Sequence, residues 1–188
     1  MFGECMSHPS TDLMYINIPK NASSWVKLVL GSQGWEFYNY HTDHLDKPAI
    51  VVLRDPVERW LSGIAEYLYL YHRNMDTVHL SRAFFDMIFN RVAFDDHTES
   101  QILFLQGINI DRCTFFRCNS EFRNNFLTFL NTHSNIEDQH VTANSAERLK
   151  FFNIFKQQLE NSKYKHQVEQ YFEKDYQLIN SVKFYDPR

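Results

Sequence analysis

The stretch Tyr15-Ile-Asn-Ile-Pro-Lys-Asn-Ala-Ser-Ser-Trp25 decides how the chain is interpreted. It reads as a strand, a turn of small and polar residues, and the start of a helix. Further along, the order repeats: Ala49–Leu53 is a continuous apolar run, and Arg54-Asp-Pro56 opens a second helix. Because a helix N-terminus attracts anions, two such units suit a ligand with phosphate-like groups at both ends.

Strand and helix patterns alternate through most of the chain, which predicts an α/β fold of three layers with a mostly parallel central sheet. The predicted strands are Leu13–Ile18, Glu36–Tyr40, Ala49–Leu53 and Cys113–Arg117. No linker or repeat divides the 188 residues, so a single domain, residues 1–188, is expected.

Residues typical of helix ends set the predicted helix limits. The first helix is expected over 23–30, ending at Gly31, and the second begins at Pro56 with Asp55 as its cap. Thr98-Glu-Ser-Gln101 has the form of a capping box and predicts a short helix.

The apolar spacing predicts a further amphipathic helix over about 79–93. Another is expected after Ser120, and C-terminal helices around 149–159 and 168–179 are interpreted as scaffold.

Composition excludes several classes. A net charge of −4 without a basic run gives no support for a nucleic-acid partner. No apolar run approaches the roughly 18–20 residues of a membrane span, and the N-terminus lacks a signal-peptide pattern. Three cysteines, Cys5, Cys113 and Cys118, without CxxC spacing favour reduced thiols. A soluble, cytoplasmic protein is expected.

The first turn carries groups suited to an anion. Lys20 adds a mobile charge, Ser23 and Ser24 add hydroxyl donors, and Ala22 lets the backbone approach a ligand closely. Trp25 is expected either to stack on a flat ligand group or to pack beneath the turn.

The first turn lacks the glycines of the G-x-x-x-x-G-K-[ST] loop of nucleoside triphosphatases. No strand ends in an obvious magnesium-binding Asp apart from Asp55, whose capping role is simpler. The sequence therefore points away from ATP hydrolysis, and no metal is expected.

The second turn places Arg54 at the carboxyl edge of its strand, where α/β sheets bind ligands. Ser62 follows eight positions later, and Arg59 shares its helix face. Alternatively, Arg54 pairs with Asp55 or Glu58, and Ser62 merely faces a neighbour.

Together these motifs resemble the sulfotransferases that use 3′-phosphoadenosine 5′-phosphosulfate (PAPS). Ile18–Trp25 is similar to their 5′-phosphosulfate loop, and Leu53–Ser62 to their 3′-phosphate motif, closest in style to the Golgi carbohydrate sulfotransferases. More faintly, His97-Thr-Glu-Ser-Gln101 resembles a His-x-x-x-Gln element of that group, and Tyr171–Leu178 resembles its final helix. The short chain and the absent Golgi anchor suggest a small soluble member of bacterial or viral origin.

The resemblance implies a PAPS site without metal and a sulfuryl transfer to an acceptor hydroxyl on a carbohydrate or small molecule. Lys20 would be catalytic, neutralising the bridging oxygen of the leaving 5′-phosphate. The implied cofactor-binding residues are Lys20, Asn21, Ala22, Ser23, Ser24, Trp25, Arg54, Arg59 and Ser62.

A histidine suits the base that the acceptor needs. His41 and His44 follow the second predicted strand, and related enzymes have a catalytic histidine between the two motifs. The alternatives are two solvated loop histidines or, less favoured, a metal pair without the helical H-E-x-x-H context. His97 is the third candidate, on the acceptor side.

Two other functions stay open: a small P-loop-like nucleotide kinase, and a non-catalytic module that binds 3′-phosphoadenosine 5′-phosphate (PAP). Thr142–Ser145 is a further candidate for covering the nucleotide. The sequence identifies neither the acceptor nor the oligomeric state.

Overall fold

The structure is a computed structural model that describes residues 4–39, 46–71, 80–131 and 146–187. This part of the chain contains five strands and seven α-helices. This confirms the α/β class. The elements are β1 (Glu4–Ser7), β2 (Met14–Asn17), α1 (Ser23–Ser32), β3 (Glu36–Asn39), β4 (Ala49–Leu53), α2 (Pro56–Tyr71), α3 (Arg82–Arg91), the 3-10 helices Gln101–Leu105 and Ile110–Arg112, β5 (Cys113–Arg117), α4 (Phe122–Phe129), α5 (Ala146–Glu160), α6 (Lys165–Tyr171) and α7 (Glu173–Ser181).

The sheet is mixed, in the order β3-β1-β2-β4-β5, so the prediction of a mostly parallel sheet is wrong. The pairs β2–β4 and β4–β5 are parallel, whereas β1 is antiparallel to both β2 and β3. The sequence interpretation missed β1, a strand of only four residues. Its direction follows from the short connection 8–13, because a short loop can join antiparallel neighbours but not parallel ones.

Because β3 is antiparallel to β1, it runs in the same direction as β2 and β4. Asn17 at the end of β2 and Asn39 at the end of β3 both pair with Glu4 of β1. The chain therefore leaves β2, β3 and β4 at one edge of the sheet, and the first turn begins at that edge.

Helices cover both faces of the sheet, which gives three layers. On one face α1 and α4 pack against Tyr15, Ile50 and Val52. On the other, α7 and the first 3-10 helix pack against Ile16 and Val51. Beside the sheet, α2, α3, α5 and α6 form a cluster with its own buried aromatic core.

The predicted end of α1 is wrong, whereas the predicted start of α2 is confirmed. Helix α1 continues through Gly31, and Gly34 supplies the left-handed residue (φ 82°), with its N–H donating to the Gly31 carbonyl at 3.1 Å. Helix α2 begins at Pro56 as predicted, and Asp55 Oδ1 accepts the Glu58 N–H at 2.9 Å.

The predicted capping box is wrong. Thr98 Oγ1 accepts the Phe94 and Asp95 N–H groups at 2.7 and 2.9 Å, so it closes the preceding turn instead. The 3-10 helix is capped by buried Asp175 of α7, which accepts the Gln101 and Ile102 N–H groups at 2.8 and 2.9 Å. Because Asp175 lies so far along the chain, no local sequence pattern could have predicted this cap.

Gly63 lets α2 lie close to the 94–98 loop. A Cβ at Gly63 would overlap the His97 carbonyl oxygen, so only glycine fits without displacing backbone. Cys5, Cys113 and Cys118 are free, as expected. None of the helices in the described ranges is long and apolar enough to cross a membrane.

Candidate functional site

The turn between β2 and α1 has an unusual backbone. Lys20 (φ 69°) and Ala22 (φ 58°) are left-handed, and Asn21 between them is not. Each left-handed non-glycine residue costs about 1–2 kcal/mol. Backbone that alternates between left-handed and right-handed residues can form a concavity suited to anions. Here the Asn21 N–H donates to the Ile18 carbonyl at 3.3 Å, which closes the turn. The turn after β2 is therefore a tight, strained turn built without glycine.

The Asn21 side chain holds this turn against the sheet and the first 3-10 helix. Its side chain is fully buried, and Nδ2 donates to the Val52 carbonyl at 2.7 Å and to Gln101 Oε1 at 2.6 Å. Asn21 was predicted to bind the cofactor. In the structure its amide ties the turn to β4 and to the 3-10 helix.

Gln101 joins the two turns. Its Oε1 also accepts the Arg54 N–H at 3.1 Å, and its Nε2 donates to the Arg54 carbonyl at 2.9 Å. One buried side chain thus holds Asn21 of the first turn and the backbone of Arg54 in the second. The relative position of the two predicted motifs is fixed by this contact.

Arg59 is fully buried beneath the first turn. Its Nε donates to the Pro19 carbonyl at 2.9 Å, and its two terminal nitrogens donate to the carbonyls of Asp96 and Glu99. Burial lowers its pKa to about 10, which leaves it charged at neutral pH. Arg59 was predicted to bind the cofactor. In the structure its guanidinium holds the turn that carries Lys20.

A pocket of about 210 Å³ lies between α2 and α5. It brings together three of the predicted residues, Lys20, Arg54 and Ser62. The rest of its lining comes from Ala65 of α2 and from the first two turns of α5, namely Arg148, Leu149 and Phe152. Helix α5, interpreted from the sequence as scaffold, is therefore also a wall of this pocket.

Two ionic triads flank the pocket. In the inner triad, Glu66 Oε2 lies 3.2 Å from Lys20 Nζ and 3.1 Å from an Arg148 terminal nitrogen. In the outer triad, the Glu58 carboxylate lies 3.9 Å from Arg54 and 2.7 Å from Lys156 Nζ. Each consists of one cation from a predicted motif, one carboxylate of α2 and one cation of α5.

Lys20 is the most enclosed cation of the pocket, with 17% of its side chain exposed. Burial lowers its pKa, and the Glu66 carboxylate partly opposes that shift, whereas Arg148 and Arg54 add to it. A second anion near Lys20 would relieve this repulsion among like charges. The electrostatics thus favour a negatively charged ligand.

The remaining predicted residues of the turn differ in placement. Ser23 is half-buried and Ser24 exposed in the first turn of α1, and neither is among the described residues that line the pocket. Trp25 packs beneath the turn, with its ring centroid 5.6 and 5.8 Å from those of Phe122 and Phe126. Of its two predicted alternatives, packing is the one observed.

His97 is held by two carboxylates: its Nδ1 lies 3.2 Å from Asp95 Oδ2 and 2.9 Å from Asp96 Oδ1. These contacts raise its pKa to about 9, so the ring is an imidazolium at neutral pH. The three side chains are close enough to share a metal ion, but an imidazolium must lose its proton before it can ligate one.

His41, His44 and Thr142–Ser145 are outside the described residues. A larger cavity of about 430 Å³ opens at the end of β5, between Arg117, Asn119 and the segment 184–187. None of the predicted site residues is among the described residues that line it.

The sequence interpretation missed Glu66 and Arg148, and it placed Gln101 only in a capping box and in a His-x-x-x-Gln element, not in the link between the two turns. Glu66 had a signal, because it follows Ser62 by four positions and so lies on the same face of α2. Arg148 had none, since only the packing of α5 on α2 brings it to Lys20.

Comparisons of the chain with family models, with curated proteins and with solved structures gave no match. The function is therefore inferred from the motifs and the pocket alone.

Proposed function

We propose that this protein is a PAPS-dependent O-sulfotransferase that moves the sulfuryl group to a hydroxyl of a carbohydrate or small molecule. In this proposal the turn after β2 is a P-loop-like nucleotide site. The observation that carries it is the single pocket lined by Lys20, Arg54 and Ser62, one residue from the first motif and two from the second.

The charge of the pocket supports a donor with two anionic ends. Lys20 belongs to the inner triad and Arg54 to the outer triad, and the Arg54 guanidinium also donates to the Lys20 carbonyl at 3.3 Å. The carboxylates of these triads lie eight positions apart on α2, which corresponds to about 12 Å along the helix. The pocket is smaller than the roughly 300 Å³ of small drug-sized sites, so it suits the phosphate-bearing part of the donor.

In the proposed reaction the acceptor oxygen attacks sulfur while the bond from sulfur to the 5′-phosphate oxygen breaks. Negative charge grows on the leaving PAP, and Lys20 stabilises it as sulfuryl transfer proceeds. Arg54 and Ser62 bind the 3′-phosphate, which distinguishes this donor from ordinary adenine nucleotides. The acceptor proton passes to a base.

His41 and His44 stay the proposed bases. Strand β3 ends at Asn39, two residues before His41, at the edge where β2 leads into the first turn. His97 is a poorer base, because the imidazolium between Asp95 and Asp96 already carries the proton. It stays a proposed acceptor-side residue.

Calorimetric titration with PAP, AMP and Mg-ATP tests the proposal on wild type and on Arg54→Ala. Tight binding of PAP over AMP, reduced in the variant to the level of AMP, is the expected result. The matched control is Arg82→Ala, which removes an exposed cation at the start of α3.

Preference for Mg-ATP would replace the sulfotransferase with the kinase alternative. Failure to bind any of the three nucleotides would overturn the proposal. Binding of PAP without turnover of PAPS across an acceptor panel would favour the non-catalytic module.

A further inference from the structure

Arg148 meets Lys20 at a single carboxylate oxygen, although the two residues lie far apart in sequence. Glu66 Oε2 accepts from Lys20 Nζ at 3.2 Å and from Arg148 at 3.1 Å. One negative charge thus faces two positive charges, and all three side chains are largely buried, with 12–24% exposed. The inner triad carries a net charge of +1 in a place where solvent screens it weakly.

The orientation of Arg148 is fixed by a second contact. Its guanidinium carbon lies 4.3 Å from the centre of the Tyr69 ring on α2. The aromatic face and the Glu66 carboxylate together hold the side chain at the pocket wall. A guanidinium held in place loses little freedom when it binds a planar or tetrahedral oxyanion, and its forked donors match phosphate and sulfate oxygens.

We propose that Arg148 binds the 5′-terminal phosphate of the nucleotide together with Lys20, and that Glu66 is the positioning residue that holds the two cations on either side of it. This inference rests on the proposed function and deepens it. It assigns the 5′ end of the ligand to Lys20 and Arg148, and the 3′ end to Arg54 and Ser62. Neither sequence motif contains Arg148 or Glu66.

Truncated nucleotides separate the two ends. Affinities for PAP, 5′-AMP and 3′-AMP are measured by calorimetry on wild type, Arg148→Ala and Arg148→Lys. Arg148→Ala is expected to weaken PAP and 5′-AMP by about tenfold, the usual scale of a lost charged hydrogen bond. Binding of 3′-AMP, which lacks the 5′-phosphate, is expected to stay unchanged. Arg148→Lys should recover part of the loss.

Lys150→Ala is the matched control, because it removes an exposed positive charge from the same helix, two residues away. It is expected to change none of the three affinities. Circular dichroism of each variant checks that the fold is retained. Equal losses for all three nucleotides, or no loss for 5′-AMP, would overturn the assignment while leaving the sulfotransferase proposal in place.

Glu66→Gln tests the positioning role with a different readout. Removing the carboxylate raises the positive charge of the pocket, so PAP is expected to bind about threefold more tightly. Hydrolysis of PAPS to PAP and sulfate, with water as acceptor, is expected to slow about tenfold because Lys20 is no longer held in place. Weaker binding together with slower hydrolysis would indicate a merely structural role and contradict the proposal. If wild type binds no PAP, the proposed function and this inference fail together.

Discussion

The inner and outer triads have the same composition but different surroundings. The inner triad, Lys20–Glu66–Arg148, has side chains 12–24% exposed, whereas those of the outer triad, Arg54–Glu58–Lys156, are 27–42% exposed. Helices α2 and α5 run antiparallel, so each triad links them at a different level. The same set of charges is thus present once in a desolvated setting and once in a solvated one.

This difference assigns separate tasks to the two ends of the pocket. Ion pairs gain strength and fixed geometry as water is excluded, whereas exposed pairs contribute little to stability. The inner triad suits the end where charge changes during a reaction. The outer triad suits recognition, because Arg54 can exchange its 3.9 Å pairing with Glu58 for a ligand at small cost while it still donates to the Lys20 carbonyl at 3.3 Å.

The largest effect is expected for Lys20→Ala. If Lys20 stabilises the leaving phosphate, its removal lowers kcat for PAPS turnover by about a hundredfold to a thousandfold. Arg54→Ala is expected to raise KM and change kcat little. Steady-state kinetics of PAP release distinguish the two, and equal losses of kcat would remove the contrast between the triads.

Gly63→Ala is expected to disturb both triads together, because Gly63 lies between Glu58 and Glu66 on α2 and contacts the His97 backbone. The added methyl group forces a backbone shift that costs about 3 kcal/mol of unfolding free energy. Urea denaturation measures the loss. Gly31→Ala is the control: it lies in α1 with no atom within 4 Å of its Cβ position, and it should stabilise by about 0.5–1 kcal/mol.

Neutralising each carboxylate compares the triads directly. Glu66→Gln leaves two enclosed cations without their counter-charge and is expected to lower the unfolding free energy by about 2 kcal/mol. Glu58→Gln, in the exposed triad, should change it by less than about 0.5 kcal/mol. If urea denaturation gave similar losses of unfolding free energy for the two variants, burial would not determine how much each triad stabilises the fold.

His97 with Asp95 and Asp96 forms a third charged cluster, with side chains 19–51% exposed. The two carboxylates raise the pKa of His97 to about 9. The stability that its ion pairs give to the fold is therefore complete below the unfolded-state pKa of about 6.5 and is lost as the pH rises through 9. Allowing for solvent screening, the expected loss is about 1 kcal/mol. Thermal melts between pH 6 and 9.5 on wild type and His97→Gln measure it, and an equal slope in both proteins would refute the assignment.

The sequence predicted what local chemistry controls. The continuous apolar run of β4 gave its bounds, and Asp55-Pro56 gave the start of α2. By contrast, the β1 sequence Glu-Cys-Met-Ser contains no β-branched or aromatic residue typical of strands, and its place between β2 and β3 depends on the whole sheet.

For the candidate site, local spacing identified Lys20, Arg54 and Ser62 but not how deep each residue lies. Arg59 shares a helix face with Ser62, yet the carbonyls of the first turn and of the 94–99 loop enclose it. Tertiary packing determines this burial, and helical periodicity in the sequence gives no information about tertiary packing.

The hydrogen bonds of Gln101 affect how the pocket unfolds locally. Its contacts join residues 80, 47 and 74 positions away, to Asn21, Arg54 and Asp175. Contacts of such long range form late in folding and open as a unit. Native-state hydrogen exchange should therefore find the Arg54 and Gln101 amides protected to the same degree. Mild denaturant would then abolish binding at both ends of the pocket in one step.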